Sequence, residues 1–335
     1  MDSAFIRAGV FGASGYAGQD LIEILSRHPS VRLVFATSGT YAGQPVEHTT
    51  LQYIPPAEAD LGQVDVVFLA LPHGVSADMA AQAIRHGVKV IDLSADLRLT
   101  TPEAYRRWYG HEHPQPQLLP APYGLPEMNR AQIPGAHWIA APGCYPTTTL
   151  LGLYPLLRHG WIQPGAPIVV DAKSGVSGAG REPRPNLQFV EVYGDFLPYN
   201  PGRAHRHVGE IEQEIHRLFA EAGPLVFTPH LLPVDRGLMA SIYVTLKPGM
   251  DSADAQSLFE QTYADEPLVT VQPAGRQASL KQVVRTNGAS ISLTPALPSL
   301  LHITSVTDNL RKGASGQAVQ CFNLMMNLPE TTGLI

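Results

Sequence analysis

The segment Gly12-Ala13-Ser14-Gly15-Tyr16-Ala17-Gly18 constrains the fold of this chain more than any other. Three glycines, each three residues apart, stand between the apolar run Phe5 to Phe11 and a stretch where Leu21, Ile22, Ile24 and Leu25 recur at helical spacing. Strand, glycine turn and helix in that order predict a site for a dinucleotide. Gly12 permits a tight turn, Gly15 lets a pyrophosphate approach the backbone, and Gly18 lets the helix lie close to the strand. The amides around Ala13, Ser14, Tyr16 and Ala17 would then face the phosphates.

The alternation continues. His28-Pro29 stops the first helix, because a residue before proline avoids the α region. Val31 to Thr37 predicts a second strand, and Val64 to Leu71 one buried on both faces. Ala77 to His86 predicts a helix ended by Gly87, and Val88 to Leu93 another strand. This order predicts a doubly wound parallel sheet. After the second strand, Ala36-Thr37-Ser38-Gly39-Thr40 has no carboxylate for a ribose 2′-hydroxyl, while the hydroxyls of Thr37, Ser38 and Thr40 suit a 2′-phosphate. The expected cofactor is therefore NADP(H).

Residues 100–135 are rich in proline and predict loops with one short helix, Pro102 to Tyr109. Beyond them the pattern changes. A helix is expected over Thr147 to Arg158, strands at Ile168 to Ala172, Leu225 to Leu232, Ala240 to Leu246 and Leu301 to Val306, and helices at Val208 to Ala222 and Ala253 to Tyr263. That mix predicts an α+β domain with an antiparallel or mixed sheet. The last helix, Ser315 to Met326, is long enough to return to the first domain. With 335 residues, two domains are expected: 1–145 with 309–335, and 146–308. A net charge of -6 argues against a nucleic-acid surface. The longest apolar run is far short of the ~20 residues of a membrane span, and no signal peptide is read. Two cysteines 177 positions apart suggest a reduced, cytoplasmic protein, with no metal site expected.

Cys144 stands in Pro142-Gly143-Cys144-Tyr145-Pro146, just before an apolar helix. The positive end of a helix dipole favours thiolate over thiol, and Gly143 leaves room for a substrate. Cys321, mid-helix in Ala318-Val319-Gln320-Cys321-Phe322 with no charged or glycine-rich neighbours, is expected to be structural. A thiol nucleophile needs a proton acceptor. The segment Arg203-Ala204-His205-Arg206-His207-Val208-Gly209-Glu210 supplies His207 as the favoured base, His205 as its rival and Glu210 as an orienting carboxylate. Two segments suit an anion: Lys173-Ser174-Gly175-Val176-Ser177-Gly178-Ala179-Gly180-Arg181 and Asp235-Arg236-Gly237.

Taken together these motifs resemble the N-acetyl-gamma-glutamyl-phosphate reductases of arginine biosynthesis. The matching stretches run in order through the chain and include Leu71-Pro72-His73-Gly74, Asp92-Leu93-Ser94-Ala95-Asp96-Leu97-Arg98, Tyr123-Gly124-Leu125-Pro126-Glu127, His205-Arg206-His207 and Asp308-Asn309-Leu310 through Gln320. The resemblance implies a Rossmann domain joined to a substrate and dimerisation domain, in a homodimer or homotetramer. It implies that Cys144 attacks an acyl phosphate, that the thioester is reduced by NADPH, and that N-acetylglutamate semialdehyde and phosphate are released. It places Pro72, Ser94, Gly143, Ser174 and Gly175 at the cofactor, Asn309 and Gly313 near its nicotinamide, and Arg98, Ser177, Gly178, Arg181 and Arg236 at the substrate. The chain departs from the family where Gly209 replaces a proline and where an arginine near Thr40 is absent. A related enzyme of lysine biosynthesis, acting on carrier-linked aminoadipyl phosphate, has Asn-Ala where this chain has Tyr145-Pro146. A non-catalytic NADP-binding sensor is the alternative of another class.

Overall fold

The computed structural model describes residues 5–335, which divide into two compact units: residues up to Gly143 with Ala314–Ile335, and Cys144–Gly313. The first unit is built in the order β1 (Ile6–Phe11), α1 (Tyr16–Ser26), β2 (Val31–Thr37), β3 (Tyr53–Ile54), β4 (Val66–Leu69), α2 (Ser76–Arg85), β5 (Lys89–Asp92), α3 (Pro102–Tyr109), α4 (Pro126–Asn129) and β6 (Trp138–Ala140). Its strands form one parallel sheet in the order β3-β2-β1-β4-β5-β6. This is the doubly wound order, and strand succession reverses between β1 and β4.

Both faces of that sheet are covered, as the continuous apolar run in β4 requires. Val66 and Phe68 face a core shared with Leu21, Ile22 and Leu25 of α1 and with Val319, Cys321 and Phe322 of the C-terminal helix (Gly316–Met325). Val67 and Leu69 face the opposite core with Phe35, Ala80, Ala83 and Leu118. Cys321 is fully buried and its Sγ donates to the Gly124 carbonyl at 3.1 Å, a packing role. Gly87 takes φ +73° after α2, the left-handed stop that its position predicts. Among the described residues no helix is long and apolar enough to cross a membrane.

The second unit comprises α5 (Cys144–Arg158), β7 (Ile168–Gly175), α6 (Phe189–Val192), β8 (Leu197–Pro198), α7 (His207–Leu218), β9 (Leu225–Leu232), β10 (Leu238–Thr245), α8 (Ser252–Thr262), β11 (Val269–Val271), β12 (Ala289–Leu297) and β13 (Leu300–Thr307). Its strands form a mixed sheet in the order β11-β12-β13-β10-β7-β9-β8. The β7–β9 and β11–β12 pairs are parallel and the others antiparallel. Side chains alternate across it. Leu293, Ile303, Ile242, Val170 and Phe227 lie on one buried face, in register from β12 to β9. Helix α5 crosses that face, and Gly152 permits its approach, since a Cβ there would lie 2.7 Å from Ile242 Cδ1. The helix was expected from Thr147 but begins at Cys144, because proline fits a first helical turn and Pro146 therefore does not delay it. Cys144 and Tyr145, grouped with the first domain from sequence, thus open the second unit, and residues 309–313, grouped with the first likewise, close it.

Candidate active site

In the first unit the three glycines of the turn behave differently. Gly12 has φ +71°, and a Cβ on it would fall 2.3 Å from the Ala70 carbonyl oxygen. A Cβ on Gly18 would fall 2.4 Å from the Gly12 carbonyl oxygen, so only glycine lets α1 start this close to β1. A Cβ on Gly15 would meet one atom, the Gly12 oxygen, at 3.6 Å. Gly15 is therefore not demanded by internal packing, and the space above it is what a phosphate needs. The Ser14 and Ser38 hydroxyls lie 2.8 Å apart at the end of β2, and the Tyr41 amide donates to Ser38 Oγ at 3.1 Å. Thr40 is exposed on the same turn. Thr37, expected with them, is instead fully buried, and its Oγ1 accepts the Gly12 amide at 3.3 Å.

Other expected contacts prove committed within the unit. Ser94 Oγ donates to Asp92 Oδ2 at 2.8 Å and accepts the Asp96 amide at 3.0 Å. The Arg98 guanidinium donates to the carbonyls of Ala141 at 2.9 Å and Leu93 at 2.7 Å, and so braces backbone. Pro72 lies exposed in the loop after β4, and Gly143 is buried at the last position before Cys144.

In the second unit Cys144 is the first residue of α5 and is partly exposed. The N-terminal turn of a long helix stabilises negative charge on its sulfur. Gly313 presses against it: a Cβ there would stand 2.9 Å from Cys144 Cβ. Gly313 belongs to a π-helical turn, Arg311–Ser315, whose approach is fixed by Asp308. The buried Asp308 carboxylate accepts the amides of Leu310 at 2.8 Å, Arg311 at 3.1 Å and Arg285 at 2.7 Å, and its carbonyl accepts the Gly313 amide at 2.9 Å. Asn309, expected at the nicotinamide, uses its Oδ1 for the Gly237 amide at 2.8 Å and its Nδ2 for Ser177 Oγ at 3.0 Å. It therefore ties the segments around Ser177 and Gly237 together.

His205 precedes α7 and His207 begins it, so the segment is not extended, yet the rings stay 4.8 Å apart. His205 Nδ1 accepts the His207 amide at 3.2 Å. Burial, with the Arg206 charge second, pushes His205 down to about 4. Glu210 is buried one turn along α7. Tyr145 joins these histidines to the cysteine: its ring lies 5.5 Å from His205 and 5.9 Å from His207. The Tyr199 hydroxyl donates to the Tyr145 hydroxyl at 3.0 Å. Burial raises both phenols well above their ordinary value, and negative charge on Cys144 raises both further, so they stay protonated beside the sulfur.

The remaining expected residues lie in the segments 174–181 and 235–237. Ser174 Oγ donates to the Gly175 carbonyl at 3.2 Å. Gly175 is required by close approach, a Cβ there falling 2.8 Å from the Arg236 amide nitrogen. A Cβ on Gly178 would lie 2.8 Å from Ser174 Oγ, and Arg181 is exposed just beyond. Arg236 is buried with its guanidinium 3.4 Å from Asp308, so its charge is already partly opposed. Sequence assigns no site role to Tyr145, Tyr199 or Asp308, although Tyr145 and Asp308 lie in its matching stretches. Asp308 carried a signal, since the Asp-Asn pair before a glycine-containing turn suits backbone capping.

Comparison with known proteins agrees with this architecture. Residues 7–136 match the model of the semialdehyde dehydrogenase NAD binding domain, and residues 144–309 match the semialdehyde dehydrogenase dimerisation domain. An aspartate semialdehyde dehydrogenase II from Vibrio cholerae, complexed with ASA, shares the fold with a TM-score of 0.76 at 20% identity, over 97% of this chain and 99% of that one. An aspartate semialdehyde dehydrogenase with NADP from Candida albicans does so with 0.68 at 15% identity, over 95% and 98%. Curated N-acetyl-gamma-glutamyl-phosphate reductases are far nearer in sequence. That of Moorella thermoacetica is 43% identical over 98% of both chains, and that of Magnetococcus marinus 43% identical over 98% of this chain and 97% of its own. With nearly its whole length aligned to such relatives, the chain belongs to the N-acetyl-gamma-glutamyl-phosphate reductase family.

Proposed function

We propose that the chain reduces N-acetyl-gamma-glutamyl phosphate to N-acetylglutamate semialdehyde, releasing phosphate, through a thioester on Cys144. The observation that carries this reading is the seat of Cys144: the first residue of α5, against Gly313, and next to Tyr145, whose ring meets His205 and His207 and whose hydroxyl meets that of Tyr199. The open space at Gly15 and the paired Ser14 and Ser38 hydroxyls fit NADP(H), held by residues 12–18, Ser38 and Thr40. Bound there, NADPH supplies the hydride that a thioester requires.

His207 takes the Cys144 thiol proton, and the thiolate attacks the acyl carbon. The carbon–oxygen bond to phosphate breaks, and phosphate leaves with the bonding pair. After reduction, the thiohemiacetal on Cys144 collapses from its oxyanion form: the oxygen re-forms the carbonyl, the carbon–sulfur bond breaks with its pair going to sulfur, the aldehyde departs and the thiolate is restored. His207 is preferred as base because His205, held at about 4, is a weak acceptor near neutrality. Arg181, Ser177 and Gly178 are suited to the substrate's anionic groups, with Arg236 contributing less because Asp308 opposes it. On the face of the seven-stranded sheet opposite α5, Tyr243 and Val226 stay exposed, which supports a homodimer, or a homotetramer built from two.

The test runs the reaction backwards. N-acetylglutamate semialdehyde is expected to reduce NADP only when phosphate is present, and to outperform aspartate semialdehyde. Cys144→Ser should abolish turnover while NADPH still binds. Turnover surviving within about tenfold, or a preference for aspartate semialdehyde, would overturn the proposal.

A further inference from the structure

The loop after β4 has an anchor that the chemistry above does not use. Strand succession reverses between β1 and β4, so ligands of such a sheet bind at the carboxyl ends of these two strands. One wall of that crevice is the glycine turn after β1. The other is the segment from Ala70 into the start of α2, whose Ala70 amide donates to the Phe11 carbonyl at 3.0 Å. This second wall has exposed side chains at Pro72, His73 and Val75, and α2 starts without a side-chain cap from its own N-cap residue, Val75.

What fixes its backbone comes from the loop after β5. The Asp96 carboxylate is fully buried and accepts three hydrogen bonds: from the Gly74 amide at 2.7 Å, the Ala77 amide at 3.0 Å and the Tyr105 hydroxyl at 2.8 Å. Gly74 has φ +82°, so the loop turns sharply where the carboxylate grips it. Asp96 is itself held: its amide donates to Ser94 Oγ, and its carbonyl lies 2.7 Å from His113 Nε2. One carboxylate thus sets both the turn of the loop and the first amides of α2, and α3 supplies the hydroxyl that completes its shell. A buried carboxylate with three donors resists rotation, because any turn strands a charged oxygen.

We infer that Asp96, completed by Tyr105, is a positioning residue for the cofactor: it holds residues 72–77 as the second wall of the dinucleotide crevice. This rests on the NADP(H) reading above. Asn at 96 keeps the shape but turns an NH₂ group toward one donor, so the loop must shift.

The test titrates NADPH into the full chain by nicotinamide fluorescence, and follows amide hydrogen exchange over residues 70–80. Asp96→Asn is expected to raise the Kd for NADPH about tenfold or more, to deprotect the amides of Gly74 and Ala77, and to raise the KM for NADPH by more than kcat falls. Tyr105→Phe leaves both amides on the carboxylate and is expected to raise Kd about two- to fourfold. An Asp96→Asn chain that loses stability but binds NADPH within about twofold of the wild type overturns the inference. If that variant does not fold, an unchanged Kd in Tyr105→Phe overturns it equally. Failure of the wild type to bind NADPH sinks the underlying reading, and this inference with it.

Discussion

His205 and His207 sit ring to ring, but their surroundings give them different chemistry. Folded, His205 is held at about 4; unfolded, it returns to its ordinary 6.5. Below pH 6.5 the unfolded chain therefore takes up a proton that the folded chain refuses, and stability falls as pH drops from 6.5 to about 4. At about 1.4 kcal/mol per pH unit the full loss is about 3 kcal/mol. Urea unfolding at pH 7 and pH 4.5 should show the wild type losing more stability than His205→Asn, and equal losses would contradict the burial argument. For turnover the order reverses: His207→Asn should cost about 10²–10⁴-fold, and His205→Asn less. A larger loss in His205→Asn reassigns the base. Sequence alone isolated the pair and Cys144, because charged residues crowd one helix start and a glycine precedes the cysteine. It did not isolate Tyr199, whose partner Tyr145 lies 54 residues away and is met only when the chain closes on itself.

At the scale of elements, the glycine turn separates what the fold needs from what a ligand needs. Gly18→Ala drives a methyl group into the Gly12 and Ala13 backbone, which cannot yield cheaply, so a loss of about 1–3 kcal/mol in unfolding free energy is expected. Gly15→Val meets no such obstacle at its Cβ, and its φ of -70° suits any residue. Its unfolding midpoint should stay near that of the wild type while its Kd for NADPH rises about tenfold or more. Calorimetry beside cofactor titration checks both, and a Gly15→Val chain that binds NADPH normally would remove the turn from the cofactor site. The turn was legible because its glycines stand between two strong periodic signals. β12 was not, although Ala289, Ile291 and Leu293 alternate with Ser290 and Ser292. Pro295 in its second half argues against a central strand, and the structure accommodates it with a register shift between Pro295 and Leu297. β3, β6, β8 and β11 have two or three residues each and exist through their neighbours, so no local pattern announces them.

At the scale of the whole molecule, the mixed sheet is one-sided. Opposite the face crossed by α5 lies a row in register across five strands: Thr294, His302, Tyr243, Val169 and Val226. The Tyr243 and His302 rings stack at 4.8 Å, and Tyr243 and Val226 remain 37% and 43% exposed. Helices α7 and α8 pack against α5, which lies on the opposite face. This pattern emerges only when the strand order is known, because each strand alone shows an ordinary alternation. Apolar side chains left open in the middle of a sheet are the usual mark of a surface meant for another chain. A second copy packed on this face would bury Tyr243, where an added carboxylate would lose its water without a partner. Tyr243→Asp is therefore expected to shift the protein toward monomer at low micromolar concentration, as read by sedimentation velocity. The glycine turn lies in the other unit, so the variant should still bind NADPH. A Tyr243→Asp chain that sediments as the wild-type oligomer would move the interface off this face and leave the row of aromatic and apolar side chains to another role.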